Sequence, residues 1–164
     1  MKRKIMKKNI LSALVALFLC LSFAGCGNDL EGRDVAVNED LRILNGHKIA
    51  MNVNGRRFVV SLYDNPTADD LLSRLPLTLT ANNYGNWMEK IMPLAEPLSM
   101  LGAPEGDNPK IPEVGYYRPG NWIALYYGFI GYWEGKVPLG QIDASPDEIR
   151  DIPAGSSVTI ELID

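Results

Sequence analysis

The chain has almost no thiol and almost no imidazole: two cysteines and one histidine in 164 residues. A zinc or other transition-metal centre needs several convergent thiolate, imidazole or carboxylate ligands. One histidine and scattered carboxylates do not supply them, so no metal and no cofactor is expected. Nucleophilic catalysis needs a Ser, Thr or Cys beside a base. His47 is the only imidazole, and Gly-x-Ser-x-Gly does not occur. The glycine-bearing stretches Gly128-Phe-Ile-Gly131 and Trp133-Glu-Gly135 carry no Lys-Ser/Thr, so they read as turns rather than phosphate loops. Nothing in the sequence names a reaction, and the chain reads more as a binder than as an enzyme.

Positive charge is also scarce where it would count. Five of the sixteen basic residues (Lys2, Arg3, Lys4, Lys7 and Lys8) stand at the very start, and all twenty acidic residues come later. An apolar run from Ile10 to Phe23 follows, then Ala24, Gly25 and Cys26. A basic start, a short apolar run and small residues at a cleavage point are the marks of an export signal. The run falls short of the ~20 residues that span a bilayer, which disfavours a transmembrane anchor. Removal of residues 1–25 leaves eleven basic against twenty acidic side chains, a formal charge of −9. That balance argues against nucleic acid as a partner, because its phosphates demand clustered Lys and Arg.

The segment Phe23-Ala24-Gly25-Cys26 resembles the lipobox of bacterial lipoproteins, with Phe23 where leucine is usual. The resemblance implies cleavage before Cys26 and lipid on its sulfur. The chain would then be held to a membrane outside the cytoplasm, as a periplasmic or outer-membrane lipoprotein of the cell envelope. Cys20 is a poorer candidate, since bulky Phe18 and Leu19 precede it. Ordinary secretion would leave Cys26 a lone reactive thiol. With Cys20 removed and Cys26 acylated no disulfide is available, so stability must come from a packed core.

Residues 26–46 are polar and acidic after the cysteine and read as a lipidated tether. Residues 47–164 have the composition and size of one domain. Ile49, Met51 and Val53 alternate, Asn54-Gly55 follows, and Phe58, Val60 and Leu62 alternate again. Both turn residues tolerate positive φ, which predicts a tight hairpin. Thr67, Asp69 and Asp70 ahead of Leu71 and Leu72 predict a short helix stopped by Pro76, with Thr67 as its cap. Strands are expected at Leu77–Ala81, Val114–Tyr117, Trp122–Tyr127, Val137–Ile142 and Val158–Leu162, and Pro93 to Pro112 reads as loop. Trp122–Tyr127 is apolar on both faces, as in a strand covered on two sides. Ser145-Pro146-Asp147-Glu148 is a capping box with proline at the first helical position. The expected class is mainly β, a small closed or nearly closed barrel with one or two short helices, its first and last strands paired.

Several of these segments, taken in order, resemble the cyclophilin-like fold proteins of bacteria. They are Leu62-Tyr-Asp-Asn-Pro-Thr-Ala68, Leu75-Pro76, Gly115-Tyr-Tyr-Arg-Pro-Gly-Asn121, Ala124-Leu-Tyr-Tyr-Gly128 and Val137-Pro-Leu-Gly-Gln-Ile142. The resemblance covers nearly all of residues 47–164 and implies a cyclophilin-like β-barrel. True cyclophilins work with a Phe-x-Arg strand and further Gln, Trp and His residues. Here Arg56 and Arg57 precede Phe58, and His47 stands at the domain's start. The isomerase pattern is missing, so peptidyl-prolyl isomerase activity is the alternative reading, carried by fold analogy alone.

What is plentiful is aromatic side chains. Tyr116, Tyr117, Trp122, Tyr126, Tyr127, Phe129, Tyr132 and Trp133 fall within eighteen residues. Half must be core, where Trp and Tyr bury large areas. Others can line a groove for a sugar, a proline ring or a peptide side chain. The ligand-binding candidates are Tyr84, Trp87, Tyr116, Trp122, Tyr126 and Trp133. Trp122 and Tyr126, four apart on one strand, would share a face. The expected partners are a membrane, through Cys26, and a peptide, protein or small-molecule ligand.

Overall fold

A computed structural model describes residues 36–86 and 88–163. Cys26, Trp87 and the segment read as an export signal lie outside the described residues. The elements in chain order are β1 (Leu44–Val53), β2 (Arg56–Tyr63), α1 (Pro66–Ser73), β3 (Leu77–Asn83), β4 (Glu89–Pro93), β5 (Gly106–Asp107), β6 (Glu113–Tyr117), β7 (Trp122–Tyr126), β8 (Trp133–Glu134), β9 (Lys136–Ile142), α2 (Pro146–Arg150) and β10 (Ser156–Ile163). A single 3-10 turn, Glu39–Leu41, precedes them.

Eight strands close into an antiparallel barrel in the order β1-β10-β3-β4-β7-β6-β9-β2, and β5 pairs with β8 as a separate two-stranded flap. Asn54 and Gly55 take φ of 50° and 79°, the left-handed pair that a two-residue hairpin requires, so β1 and β2 meet in register from Val53↔Arg56. The first and last strands pair over Lys48↔Ile163 to Val53↔Val158, so neither is left as a free edge.

Inward residues alternate along each strand, and Ile49, Met51, Val60, Leu62, Met92, Val114, Tyr116, Ile123, Leu125, Val158 and Ile160 fill the interior. The two helices close opposite mouths. Helix α1 follows the Tyr63 end of β2 and inserts Ala68 and Leu71 into the core. Helix α2 buries Ile149 beside the other end of β2, where its Glu148 pairs with Arg56.

Two details depart from the sequence reading. The cap of α1 is Asn65, whose side chain accepts from Ala68 N at 2.9 Å. Thr67 is buried one position inside the helix, and its hydroxyl donates to Ser99 O at 2.7 Å. Asp70, read as a capping acid, instead pairs with Arg74 and accepts from Ser99 N. The middle of the chain also holds strands β4 and β5, which proline and mixed polarity disguised.

The ordered body begins before residue 47. Arg42 is nine-tenths buried and forks across two carboxylates, donating to both oxygens of Glu113 at 2.8 Å and to Asp107 Oδ2 at 2.8 Å. Tyr63 adds its hydroxyl to Glu113 at 2.9 Å, and Lys110 N donates to the same carboxylate at 3.0 Å. Burial works against the charge on Arg42, but Asp107 and Glu113 outweigh it and drive its pKa further up. Burial pushes Glu113 up to about 7 against the pull of the same guanidinium.

Candidate functional site

Strand β7 is covered on both faces, as its composition predicts. Ile123 and Leu125 point into the barrel, while Trp122, Ala124 and Tyr126 point outward. That outer face is roofed by Ile111, Ile130 and Trp133. Beneath the roof is a pocket of about 60 Å³ lined by Tyr84, Glu89, Tyr117, Trp122, Ile130, Trp133 and Lys136.

Register explains why these side chains meet. Tyr117 of β6 sits opposite both Trp122 of β7 and Lys136 of β9. One row further along, Tyr126 lies between Glu89 of β4 and Glu113 of β6. A Cβ at Gly115 would come within 2.7 Å of the Tyr126 ring, so glycine there lets that ring lie across β6. Trp122 is held between two tyrosines, with ring centroids 4.9 Å from Tyr84 and 5.3 Å from Tyr117. Trp133 is fixed by its own indole, which donates to Ile130 O at 3.3 Å.

Four buried polar atoms on or beside these rings are left without hydrogen-bond partners. Glu89 Oε2, Trp122 Nε1, Tyr126 OH and Lys136 Nζ are all buried and make no hydrogen bond, and among the described residues only Asn45 Nδ2 shares that condition. Glu89 and Lys136 are each 4 % exposed. Lys136 Nζ instead lies over the rings of Tyr126, at 5.1 Å, and Trp133, at 5.9 Å.

The electrostatics follow from burial. It lowers the Lys136 pKa to about 8, with Glu89 and Asp107 resisting. It raises the Glu89 carboxyl, which Lys136 draws partly back. Burial, then Glu89 and Glu113, hold the Tyr126 phenol well above its ordinary value, so that hydroxyl stays protonated.

A wider surface cleft beside Met100, Glu105, Arg118 and Glu134 has a volume of about 540 Å³ and would win on size. It is open to solvent, and none of its residues carries a buried polar atom lacking a partner. The chemistry points to the smaller pocket.

Of the aromatic candidates, Tyr84, Trp122 and Trp133 line this pocket; Tyr126 is not in the lining but lies beneath Lys136 Nζ at 5.1 Å. Trp122 and Tyr126 do share the outer face of β7. Tyr116 does not line the pocket. It points into the barrel, where its hydroxyl accepts from Leu98 N at 3.2 Å and donates to Asn121 Oδ1 at 3.0 Å. Sequence reasoning missed Glu89, Tyr117, Ile130 and Lys136. A buried lysine beginning a strand reads the same as a surface one, and Glu89 lies on the overlooked β4. Among the described residues, no group of three or more His, Cys, Asp or Glu is placed to hold a metal ion.

The closed antiparallel barrel with two plugging helices and a roofed outer face defines a cyclophilin-like domain. The chain belongs to the Cyclophilin-like family, whose model matches residues 51–161. No curated protein matches it. The solution structure of a hypothetical protein from Archaeoglobus fulgidus is similar, with a TM-score of 0.55 and 19 % identity over 73 % of this chain and 97 % of that one. At that identity the likeness concerns the fold.

Proposed function

We propose that this chain is a lipid-anchored protein of the cell envelope. Held through Cys26, its barrel serves as a non-catalytic module that binds a small ligand or peptide segment in the Trp122 pocket. The observation that carries the binding role is that three residues lining one aromatic pocket, Glu89, Trp122 and Lys136, each hold a partnerless buried polar atom. Each such atom costs about 1–3 kcal/mol if nothing completes it. Among the described residues nearly all other buried polar side-chain atoms are satisfied, and these three stand where a ligand can meet them.

The non-catalytic reading is supported by the lining itself, which includes no Ser, Thr, Cys or His. The lone His47 is exposed on β1. The anchor is supported by the basic start, the apolar run and the Phe23-Ala24-Gly25-Cys26 segment.

Thermal-shift screening of the full-length chain and of Trp122→Ala tests the pocket. The expected result is a compound that raises the melting temperature of the first and not of the second. A variant that merely unfolds, together with a screen in which nothing stabilises the parent chain, defeats the binding role. A proline-peptide isomerisation assay at high protein concentration should be flat, and measurable turnover would favour the folding-factor alternative. Mass spectrometry of the chain from its host should find Cys26 acylated, and an unmodified residue 26 would remove the anchor.

A further inference from the structure

Resting on the Trp122 pocket as a binding site, we propose that its ligand is a zwitterion, a free α-amino acid. Glu89 receives its ammonium, Lys136 and Trp122 Nε1 receive its carboxylate, and the aromatic rings hold its side chain.

Two opposite charges share this pocket without a hydrogen bond between them. Glu89 enters from β4 and Lys136 from β9, both buried, and no hydrogen bond joins them. A buried charge is tolerated when it is paired and hydrogen-bonded, and is costly otherwise. Direct contact would have neutralised the pair and left nothing for a ligand to do.

The polar inventory is uneven in a useful way. Lys136 Nζ and Trp122 Nε1 can only donate, Tyr126 OH does either, and ionised Glu89 only accepts. The pocket thus offers two obligate donors for an anion and one carboxylate for a cation. A simple amine would pair Glu89 and leave Lys136 alone. A simple carboxylate would do the reverse. A neutral sugar or amide would answer both with hydrogen bonds and neither with charge. An amino acid pairs both at once.

The surroundings agree. The faces of Tyr84, Tyr117, Trp122 and Trp133 suit an ammonium by cation–π attraction and an apolar side chain by contact. The enclosed cavity is about 60 Å³, below the usual range for drug-sized ligands, which limits the occupant to a small molecule. A residue inside a peptide chain has lost both charges. The depressed Lys136 and raised Glu89 show burial outweighing the attraction between them, and opposite ligand charges placed against each would oppose both shifts.

Calorimetry and thermal shift on the full-length chain, with the twenty amino acids against their N-acetyl and carboxamide forms, test this. Glucose and phenethylamine serve as neutral and singly charged controls. At least one free amino acid should bind, and capping either end should weaken it about tenfold or more. Glu89→Gln should erase the preference over the N-acetyl form, and Lys136→Met the preference over the carboxamide. Should either variant fold poorly, the capped ligands on the parent chain decide alone. Equal binding of capped and free forms, or binding of neutral compounds only, overturns the zwitterion and leaves the pocket reading standing. No binding by any compound removes both readings, and ordered waters then complete the four groups.

Discussion

Arg42 and Glu113 are joined through two hydrogen bonds of 2.8 Å, one to each carboxylate oxygen, across seventy-one positions of sequence. The guanidinium belongs to the segment ahead of β1 and the carboxylate to the first residue of β6, next to the roofed face. The contact fastens the approach to the barrel directly behind the row that holds Tyr126 and Glu89.

Replacing the guanidinium tests how much that fastening stabilises. Arg42→Met leaves Asp107 and Glu113 buried without their counter-ion. A broken buried pair costs about 3–5 kcal/mol, because the remaining charge is uncompensated. Urea unfolding of the variant should show a loss in that range. A change below about 1 kcal/mol would mean that water reaches the carboxylates.

Lys136 should titrate near pH 8, against an ordinary value of 10.5. The groups facing it are Glu89 from β4, Asp107 from β5 and the rings of Tyr126 and Trp133. Its folded pKa is depressed, so below pH 8 both states carry the proton and the penalty for burying it is complete. Between about pH 8 and 10.5 the unfolded chain holds the proton that the folded one has shed, and stability rises with pH. The parent chain should therefore gain about 3 kcal/mol relative to Lys136→Met across that window. Parallel stability curves for the two would show that the amine is not buried as described.

The double variant Glu89→Gln, Lys136→Met keeps both volumes and removes both charges. Without ligand it should be more stable than the parent chain by about 1–2 kcal/mol, since uncharged replacements of buried ions commonly stabilise. The same variant should bind no amino acid. A site built for recognition gives up stability in this way. A double variant less stable than the parent, measured by urea midpoint, would show that the two charges support the fold.

Closure by the last strand has its own test. Ile160 is fully buried and lies between β1 and β3 through its pairings with Met51 and Leu77. Ile160→Ala should cost about 2–5 kcal/mol. Truncation before Ser156 should abolish the cooperative transition altogether, read by circular dichroism. Survival of a sharp melt without β10 would mean that the open sheet suffices.

Much of this architecture was legible in the residues, and the reason is periodicity. Ile49, Met51 and Val53 with Phe58, Val60 and Leu62 announce a two-residue hairpin, and Ser145 with Glu148 announces a capped helix. Both are local features, and both stand as read. Strand β4 escaped because Glu89 faces outward into an apolar pocket and Lys90 inward, where it donates to Asn83 Oδ1 and Ile152 O. The polar–apolar pattern there is inverted by tertiary burial. The aromatic candidates were found as a cluster, but their sorting was not visible. Whether Tyr116 or Tyr117 faces the pocket depends on which side of β6 the core lies, a one-residue matter of register. The charged pair was beyond reach, since residues 89 and 136 become neighbours only when β4 and β9 join the same wall.

The Arg42 clamp also settles how mechanical load enters the molecule. Tension drawn along the chain from its N-terminal side reaches the guanidinium before it reaches β1. It meets the bonds to Asp107 and Glu113 together rather than opening the β1 ladder one rung at a time. Strands unzip easily from an end and resist poorly there, so a rivet placed ahead of the first rung shields the seam that closes the barrel.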